Sequence, residues 1–595
     1  MNQRNERLFR DLLIDCSYFV RHVSPLRQGL WLGTFVALLI GSYATSQDLV
    51  LLPHRWEIEP ELDGSWSYPL RTAKLFQQPE RITSGSQTRR VSEAQRAGLL
   101  SSFEIVEGRA ETFEAMKSQL VNSPPTDRTE FLAFVSAVCR MADSDEAAWL
   151  WKAVQGQDLA IQLVVEQWAT KVHSKEPLPS WRARLDDLES EGPGLMVAIE
   201  GLAEVGGSED QQRLIAWITQ EDTAVPVRLA CCKSLGKQVH TGLENLATQI
   251  VTSNAPMREL LVAYLLAEHD SSAARQILLP LLQSSLAPAT RLAYDNLARN
   301  DLALAYEHAN DMLASGDHYV RLSAVNVLHQ FDAVEDMRQQ AVAIQDENPT
   351  VRRTVREHLI EKAQQDPGKF RGAVDEIVSY QLQGGSWQGI EQSILIAVRL
   401  EERERCPQLL ALLEHTEPDV HIRAAWALQE LANSPDIMQA IHEYCQGWTE
   451  KLDQGNLIEH KIILRLAYLL EALGRNKYQP AKEMLQLYVP KNSQKMNPIT
   501  RTSAIWALGR IWEGSQNLEL AKQLAQRMLD NDPIAPEADS VQYVSALALG
   551  YIGCKESIRP LNTAGPVPPL KLGHAAAWSL SQLGESSFLD SRRER

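Results

Sequence analysis

The feature that most constrains this fold is a phrase that returns every 30 to 42 residues, from the end of the first third of the chain to its last helical stretch. A basic or small residue is followed three or four positions later by a small one, and seven positions later by Leu. It is clearest in VRLACCKSLG at 227–236, VRLSAVNVL at 320–328 and TRTSAIWALG at 500–509. The last apolar residue of each copy serves as a ruler: Leu202, Leu235, Leu265, Ala298, Leu328, Leu359, Ile396, Leu428, Leu470, Leu508, Leu549 and Leu580, with a mean step near 34. Weaker copies at 131–138 and 161–168 continue the step backwards. Self-similarity at this period marks stacked supersecondary units, none of which can bury its apolar face alone.

Each step has room for two helices of roughly 10–15 residues and two short turns. Second helices open with cap chemistry at Asn348-Pro349, Glu417-Pro418-Asp419 and Asn497-Pro498. A side-chain acceptor there satisfies orphan N–H groups, and Pro in the first turn costs no hydrogen bond. First helices show apolar stripes at helical spacing, as in Ile277, Leu278, Leu281 and Leu282, or Leu409, Leu410, Leu412 and Leu413. No strand-like alternation of comparable length appears.

Composition narrows function mainly by exclusion. A net charge of −17 disfavours a general nucleic-acid surface, which needs clustered Lys and Arg. The seven cysteines (Cys16, Cys139, Cys231, Cys232, Cys406, Cys445 and Cys554) form no Cys-x-x-Cys and read as small buried hydrophobes. No phosphate loop, zinc-protease helix, nucleophile elbow or calcium loop occurs, so no catalytic, cofactor-binding or metal residue is assigned. His415 and His421 have poor ligand spacing, and the adjacent Cys231 and Cys232 point to different helix faces. Trp426, Trp506 and Trp578 share one register, two positions before the ruler; they read as core or inter-repeat packing, with an aromatic strip on a binding face as the alternative. Of Trp149 and Trp151, one is expected buried and one exposed. The run Glu401-Glu402-Arg403-Glu404-Arg405 reads as a solvated turn.

Residues 29–44 carry no charge, and residues 29–47 reach the lower length limit for a membrane-crossing helix, with Trp31 and Tyr43 near its ends. Arg4, Arg7, Arg10, Arg21 and Arg27 precede it, whereas Arg55 is the only Lys or Arg from 46 to 65. That asymmetry places residues 1–28 in the cytoplasm and the repeats on the non-cytoplasmic side of a single-pass membrane protein. A cleaved signal peptide, a buried helix and the opposite topology are the competing readings. Residues 7–14 resemble a short amphipathic helix for the inner membrane surface. Periodicity is absent from residues 48–97, which read as a loop-rich tether.

The phrase Val-Arg-x-x-Ala-x-x-x-Leu-Gly, preceded by Asp or Asn and often Pro, resembles the HEAT repeat, especially the short bacterial kind of phycobilin lyases. The matches are best at 348–359, 417–431, 497–511 and 541–552, and the resemblance covers about 80% of the chain. His421, Gly389, Gln542 and Gly573 replace the Arg in individual units, which breaks any continuous Arg ladder. The resemblance implies an all-α fold: an α-solenoid, a right-handed superhelix of antiparallel helix pairs, with about 14 units over residues 98–585 and a tail at 586–595. It also implies that second helices line a concave face. The expected function is a non-enzymatic scaffold or adaptor, binding protein partners on that face and the membrane through 29–47, with no nucleic acid, small-molecule substrate or cofactor. A lyase-like enzyme or chaperone for a pigment-bearing protein, and an accessory subunit of a membrane complex, are the alternatives.

Overall fold

A computed structural model describes residues 81–84, 87–90, 109–122, 124–125, 127–454, 460–491, 497–564 and 571–585. Apart from one small hairpin, the regular structure is helical. The hairpin pairs β1 (Arg81–Ser84) antiparallel with β2 (Gln87–Arg90), inside the stretch expected to be only loops. Residues 1–28, 29–47 and 586–595 lie outside the described residues. Among the described residues no helix is long and apolar enough to cross a membrane.

The recurring phrase folds as the second helix of each pair. These helices are labelled α1 to α14 in chain order: α1 (Arg128–Met141), α2 (Leu159–Lys171), α3 (Pro193–Val205), α4 (Val225–Gln238), α5 (Arg258–Leu265), α6 (Ala287–Asn300), α7 (His318–His329), α8 (Pro349–Gln365), α9 (Trp387–Arg399), α10 (Pro418–Leu431), α11 (His460–Arg475), α12 (Pro498–Ile511), α13 (Asp539–Ile552) and α14 (Lys571–Gln582). Pro349, Pro418 and Pro498 occupy the first position of their helices, as the cap chemistry requires. Asn348 accepts from the Thr350 N–H at 2.8 Å and Asn497 from the Ile499 N–H at 2.9 Å. Glu417 makes no such side-chain bond. First helices are shorter. Ser272–Leu278 runs on into a 3₁₀ turn at Leu279–Gln283, and Cys406–Ala411 into one at Leu412–Glu414.

The described residues divide into two compact units, one within 64–377 and one within 378–595. Helices α1–α8 belong to the first and α9–α14 to the second. In each unit every second helix packs on the next, and most also pack on the first helix that precedes them. The first unit carries one apolar cluster from Phe113 to Ala169 and another from Trp181 to Val327. Between them the fully buried carboxylate of Glu166 takes two bonds from Arg184, at 2.6 and 2.7 Å, and one from the Trp181 indole at 3.2 Å.

The ruler residues are buried, with one correction. Ala298 is only half-buried, and Leu297 takes its place in the core. Leu297 is the eleventh residue of α6, as Leu235 is of α4, Leu328 of α7, Leu428 of α10 and Leu508 of α12. The carbonyl of Leu297 accepts the Asp301 N–H that ends its helix at 2.7 Å, as Leu235 does from Val239 and Leu508 from Trp512 at 2.9 Å. The Gly that follows the ruler marks close approach. A methyl group on Gly509 would lie 2.8 Å from the Ala548 backbone, and one on Gly550 2.6 Å from the Ser579 hydroxyl.

Candidate interaction face

Position seven before the ruler points backwards into its own unit. Arg228 donates to the carbonyls of Gln220 and Glu221 at 2.6 and 3.1 Å. Arg352 donates to those of Asp346 and Glu347 at 2.7 and 3.0 Å. Arg321 bonds the Ser315 carbonyl at 2.8 Å and grips the Asp346 carboxylate at 2.6 and 2.8 Å. Where the Arg is absent, Thr290 and Gln542 make the same backward bonds, to Leu281 and Asp530 at 3.2 and 2.9 Å. These donors satisfy the carbonyls left over at the end of each first helix. The basic residue of the repeat is therefore a clamp on its own turn, and the breaks at Thr290 and Gln542 leave the clamp intact.

Position two before the ruler points away from the first helix, and there the two units differ. In the first unit it holds Glu200, Lys233, Asn326 and Glu357, all exposed, and half-buried Asp295, which accepts from Ser323 at 2.6 Å. Ala263 in α5 is the buried exception. In the second unit the same register holds Ile394, Trp426, Tyr468, Trp506, Leu547 and Trp578. Trp506 is buried with its ring over Gly474, while Trp426 and Trp578 are half-buried. Arg423 stands 5.6 Å from the Trp426 ring, Arg510 4.9 Å from Tyr551, and Tyr551 meets Trp578 edge-on at 5.1 Å. The three tryptophans thus join inter-repeat packing and a partly open aromatic row at once. Tyr468 and Leu547 belong to the row but differ in residue type, so a search for Trp passes over them.

A string of buried polar groups runs beside that row. Glu391 in α9 pairs with Arg423 in α10 at 3.3 Å. Glu471 in α11 accepts from Gln429 in α10 and, at 2.7 Å, from Ser503 in α12. In α12, Arg501 donates to both oxygens of Glu537, at 2.7 and 2.9 Å. Burial alone would raise the Glu537 carboxyl, yet the Arg501 bonds hold it below its ordinary value.

Other sequence candidates resolve locally. His415 accepts the Glu417 N–H at 3.1 Å, and His421 is buried inside α10. Among the described residues no group of three or more His, Cys, Asp or Glu side chains is placed to hold a metal ion. The six described cysteines are buried and free. Burial pushes the Cys232 thiol up to about 12 and that of Cys406 to about 11, so neither offers a thiolate nucleophile. Trp151 is buried, but Trp149 is half-buried rather than exposed, because the Lys117 ammonium sits 5.1 Å from its ring. The run 401–405 is not wholly solvated either. Glu402 turns inward, with Arg405 at 3.2 Å from its carboxylate.

One arrangement has no counterpart in the sequence reading. His329 and His358 stack ring on ring, with centroids 3.7 Å apart and planes 9° from parallel. His329 contacts Glu361 at 3.3 Å, and His358 contacts the Gln340 amide oxygen at 3.1 Å. Burial, then the neighbouring His329 imidazole and the Lys362 ammonium, push His358 down to about 4, and burial lowers His329 as well.

No protein-family model matches the chain, and no curated protein matches its sequence. Solved helical arrays are similar to it at low level. Yeast importin-beta (Kap95p) shares 13% identity at a TM-score of 0.44, over 82% of this chain and 68% of that one. Kap121p, solved bound to Pho4p, shares 12% at 0.44, over 83% of this chain and 56% of that one. An engineered protein shares 15% at 0.29, over 64% of this chain and all of the other. What the structure itself shows is an array of helix pairs that fits the HEAT-like resemblance of its repeated phrase.

Proposed function

We propose that this chain is a non-catalytic protein-interaction scaffold whose second helices in the first unit receive an extended protein segment. The observation that carries this reading is the row two positions before the ruler in α3, α4, α6, α7 and α8. It offers a polar or charged side chain on five of the six helices α3–α8, Ala263 of α5 being the exception, where neighbouring helix axes stand about 8–10 Å apart. Such spacing suits a partner that runs across the helices and is read at intervals, the geometry of extended-segment recognition. The alternative of a pigment-directed enzyme would call for nucleophilic or acid–base groups converging on one pocket. Buried protonated thiols and local side-chain bonding at His415 weigh against it. The uncharged sequence 29–47 would anchor the chain in a bilayer, with the repeats on the non-cytoplasmic side.

The test is capture of partners by the full chain, followed by joint replacement of the row. Lys233→Ala, Asn326→Ala and Glu357→Ala together should weaken the captured partner at least tenfold, with each single change costing a few-fold. All three side chains are exposed, so helicity should not change. A triple variant that captures its partner at full strength would sink the reading. So would a single His or Cys substitution that abolishes a measurable turnover while leaving the fold intact.

A further inference from the structure

Three residues join the first helix to the second at 284–286, 346–348 and 415–417. Before α13 the same connection takes ten, 529–538, between the helix Leu518–Met528 and Asp539. Stacked helix pairs carry such an insertion on a loop outside the stack. Within this loop Ile534 is 95% exposed, ahead of every other large hydrophobic side chain among the described residues, Tyr380 following at 74%. Scattered apolar side chains are ordinary on a surface, so exposure alone assigns nothing. The loop is also held in one shape. The Asp532 carboxylate accepts the N–H groups of Ile534 and Ala535 at 2.9 and 3.1 Å, and Pro533 and Pro536 restrict the backbone on either side. At the base, the Asp530 carbonyl accepts the Glu537 N–H at 3.1 Å and the Gln542 amide at 2.9 Å. Lys491, from the turn before α12, holds the Asp530 carboxylate at 2.7 Å, and Arg501 grips that of Glu537.

We propose that residues 529–538 are a recognition loop whose Ile534 inserts into an apolar pocket of a protein partner, with Lys or Arg on the rim of that pocket. A loop already fixed in one shape loses little conformational freedom on binding, so burial of its apolar side chain appears as affinity. Anchors of this kind fill a desolvated pocket while a polar rim excludes water. The charge of the rim follows from the loop. Residues 529–539 include Asp530, Asp532, Glu537 and Asp539 and no Lys or Arg. Lys491, Arg527 and Arg501 neutralise Asp530 and Glu537, which leaves Asp532, two residues from Ile534, and Asp539 exposed. Carboxylates there favour a basic partner and oppose insertion into an anionic lipid surface. A second copy of this chain, at a net charge of −17, is repelled as well. The assignment goes beyond the scaffold reading, which concerns the polar row of the first unit.

The test is photo-crosslinking of the full chain carrying Ala535→p-benzoylphenylalanine, which leaves Ile534 in place, in extract of cells that make the protein. A chain carrying Tyr380→p-benzoylphenylalanine is the comparison. Expected is one protein crosslinked from 535 and not from 380, through a peptide of aliphatic or aromatic residues with Lys or Arg beside it. Excess unlabelled chain should compete for it, and the Ile534→Asp chain at least tenfold less well. With that protein purified, Ile534→Ala should weaken binding at least tenfold while leaving thermal unfolding unchanged. Asp532→Ala, which frees the loop, should weaken it to a similar degree, and Asp532→Asn, which keeps the acceptor but not the charge, by a few-fold with a shallower salt dependence. Crosslinks confined to lipid or to a second copy, or no product beyond that from 380, would overturn the proposal. So would equal competition by Ile534→Asp, or a lower unfolding temperature for Ile534→Ala, which would mark a structural residue. All of this is read with the first-unit row intact, so failure of the Lys233, Asn326 and Glu357 triple variant to weaken capture would sink that reading alone.

Discussion

The same seven-residue phrase builds both units, but it packs them differently. In α7 of the first unit, Asn326 and Tyr319 are exposed while Val320, Ala324, Val325 and Leu328 are buried, an ordinary amphipathic helix. In α12 of the second unit every residue from 500 to 509 is buried. The difference lies two positions before the ruler, where aromatic or aliphatic residues replace the Lys, Asn and Glu of the first unit. Close approach at glycine is common to both, at Gly236 against the α5 backbone and at Gly509 against that of α13. Charge is handled differently as well. Both units combine outer ion pairs, such as Arg128–Asp158 and Lys477–Glu513, with buried carboxylates, Glu166 held by Arg184 in the first and Glu537 by Arg501 in the second. Among the described residues, only in the second are both partners of a pair almost fully buried, as in Glu391–Arg423 and Arg501–Glu537. A repeat array can thus keep one clamp and one ruler while turning one segment into a solvated face and the next into an apolar one.

The largest expected contrast is at the clamp. Arg501→Ala removes both its bonds to the Glu537 carboxylate, leaving it buried with Arg527 at 3.3 Å and the Ala538 N–H at 3.0 Å, and should cost about 3 kcal/mol in the second unit. Arg228→Ala in the first unit frees two turn carbonyls but strands no carboxylate, and should cost about 1–2 kcal/mol. Urea unfolding followed by hydrogen exchange in each unit separates the two. Equal losses would show that the buried carboxylate adds nothing to the clamp. The ruler sharpens the same contrast. Leu508→Ala and Leu328→Ala should each cost about 2–5 kcal/mol, with Leu508 the higher because α12 has no open side along which neighbours can relax into the cavity. A larger loss at Leu328 would mean that closure of α12 does not restrict collapse.

The array was legible in the sequence because burial repeats at a fixed offset. Leu235, Leu328 and Leu508 fall in the core for the same reason that their spacing is visible. The slip from Ala298 to Leu297 is the expected failure of a ruler laid on residue type, since both residues are apolar and only the helix start at Ala287 decides between them. The meaning of the Arg was hidden, because its acceptors are backbone carbonyls of a turn five to thirteen residues upstream. The aromatic row was half visible. Trp426, Trp506 and Trp578 announce it, whereas Tyr468 and Leu547 become members only once exposure is known. The inward turn of Glu402 and the His329–His358 stack were invisible for one reason: each depends on how neighbouring elements pack, and no local pattern encodes that.

Glycines give a contrast of opposite sign. Gly509→Ala would push a methyl group to 2.8 Å from the Ala548 backbone and force α12 from α13, costing about 1–3 kcal/mol. Gly372→Ala, in the helix Pro367–Gly384 of the first unit, meets nothing within 4 Å and should be stabilising by about 0.4–1 kcal/mol, because Ala loses less conformational freedom in a helix. Thermal unfolding of the two variants side by side would show it. Destabilisation by both would mean that the close approach at Gly509 is not what sets its cost.

The smallest expected effect is in pH. His358, held at about 4 against an ordinary 6.5, and His329, also lowered, are kept neutral by burial in the first unit, with Glu361, Asp332 and Lys362 as the nearby charges. A histidine with a depressed folded value binds its proton more readily when unfolded. Its contribution is complete above pH 6.5 and is lost as pH falls towards 4. After discounting for the partial exposure of His358, the loss is about 1–2 kcal/mol. Burial also lowers His269 in the first unit and His442 in the second, and the stacked pair adds to the loss of the first unit over this window. Below about pH 4 the order ends, because Asp346 in the first unit and Glu537 in the second are both held low by Arg partners against the upward push of burial. Hydrogen exchange from pH 7 to 4, corrected for intrinsic rates, should show protection of 318–365 falling before that of 498–552. Parallel loss in the two stretches would mean that the stacked imidazoles do not set the acid response of the first unit. His358→Gln, which cannot titrate, should then leave the profile unchanged instead of flattening it.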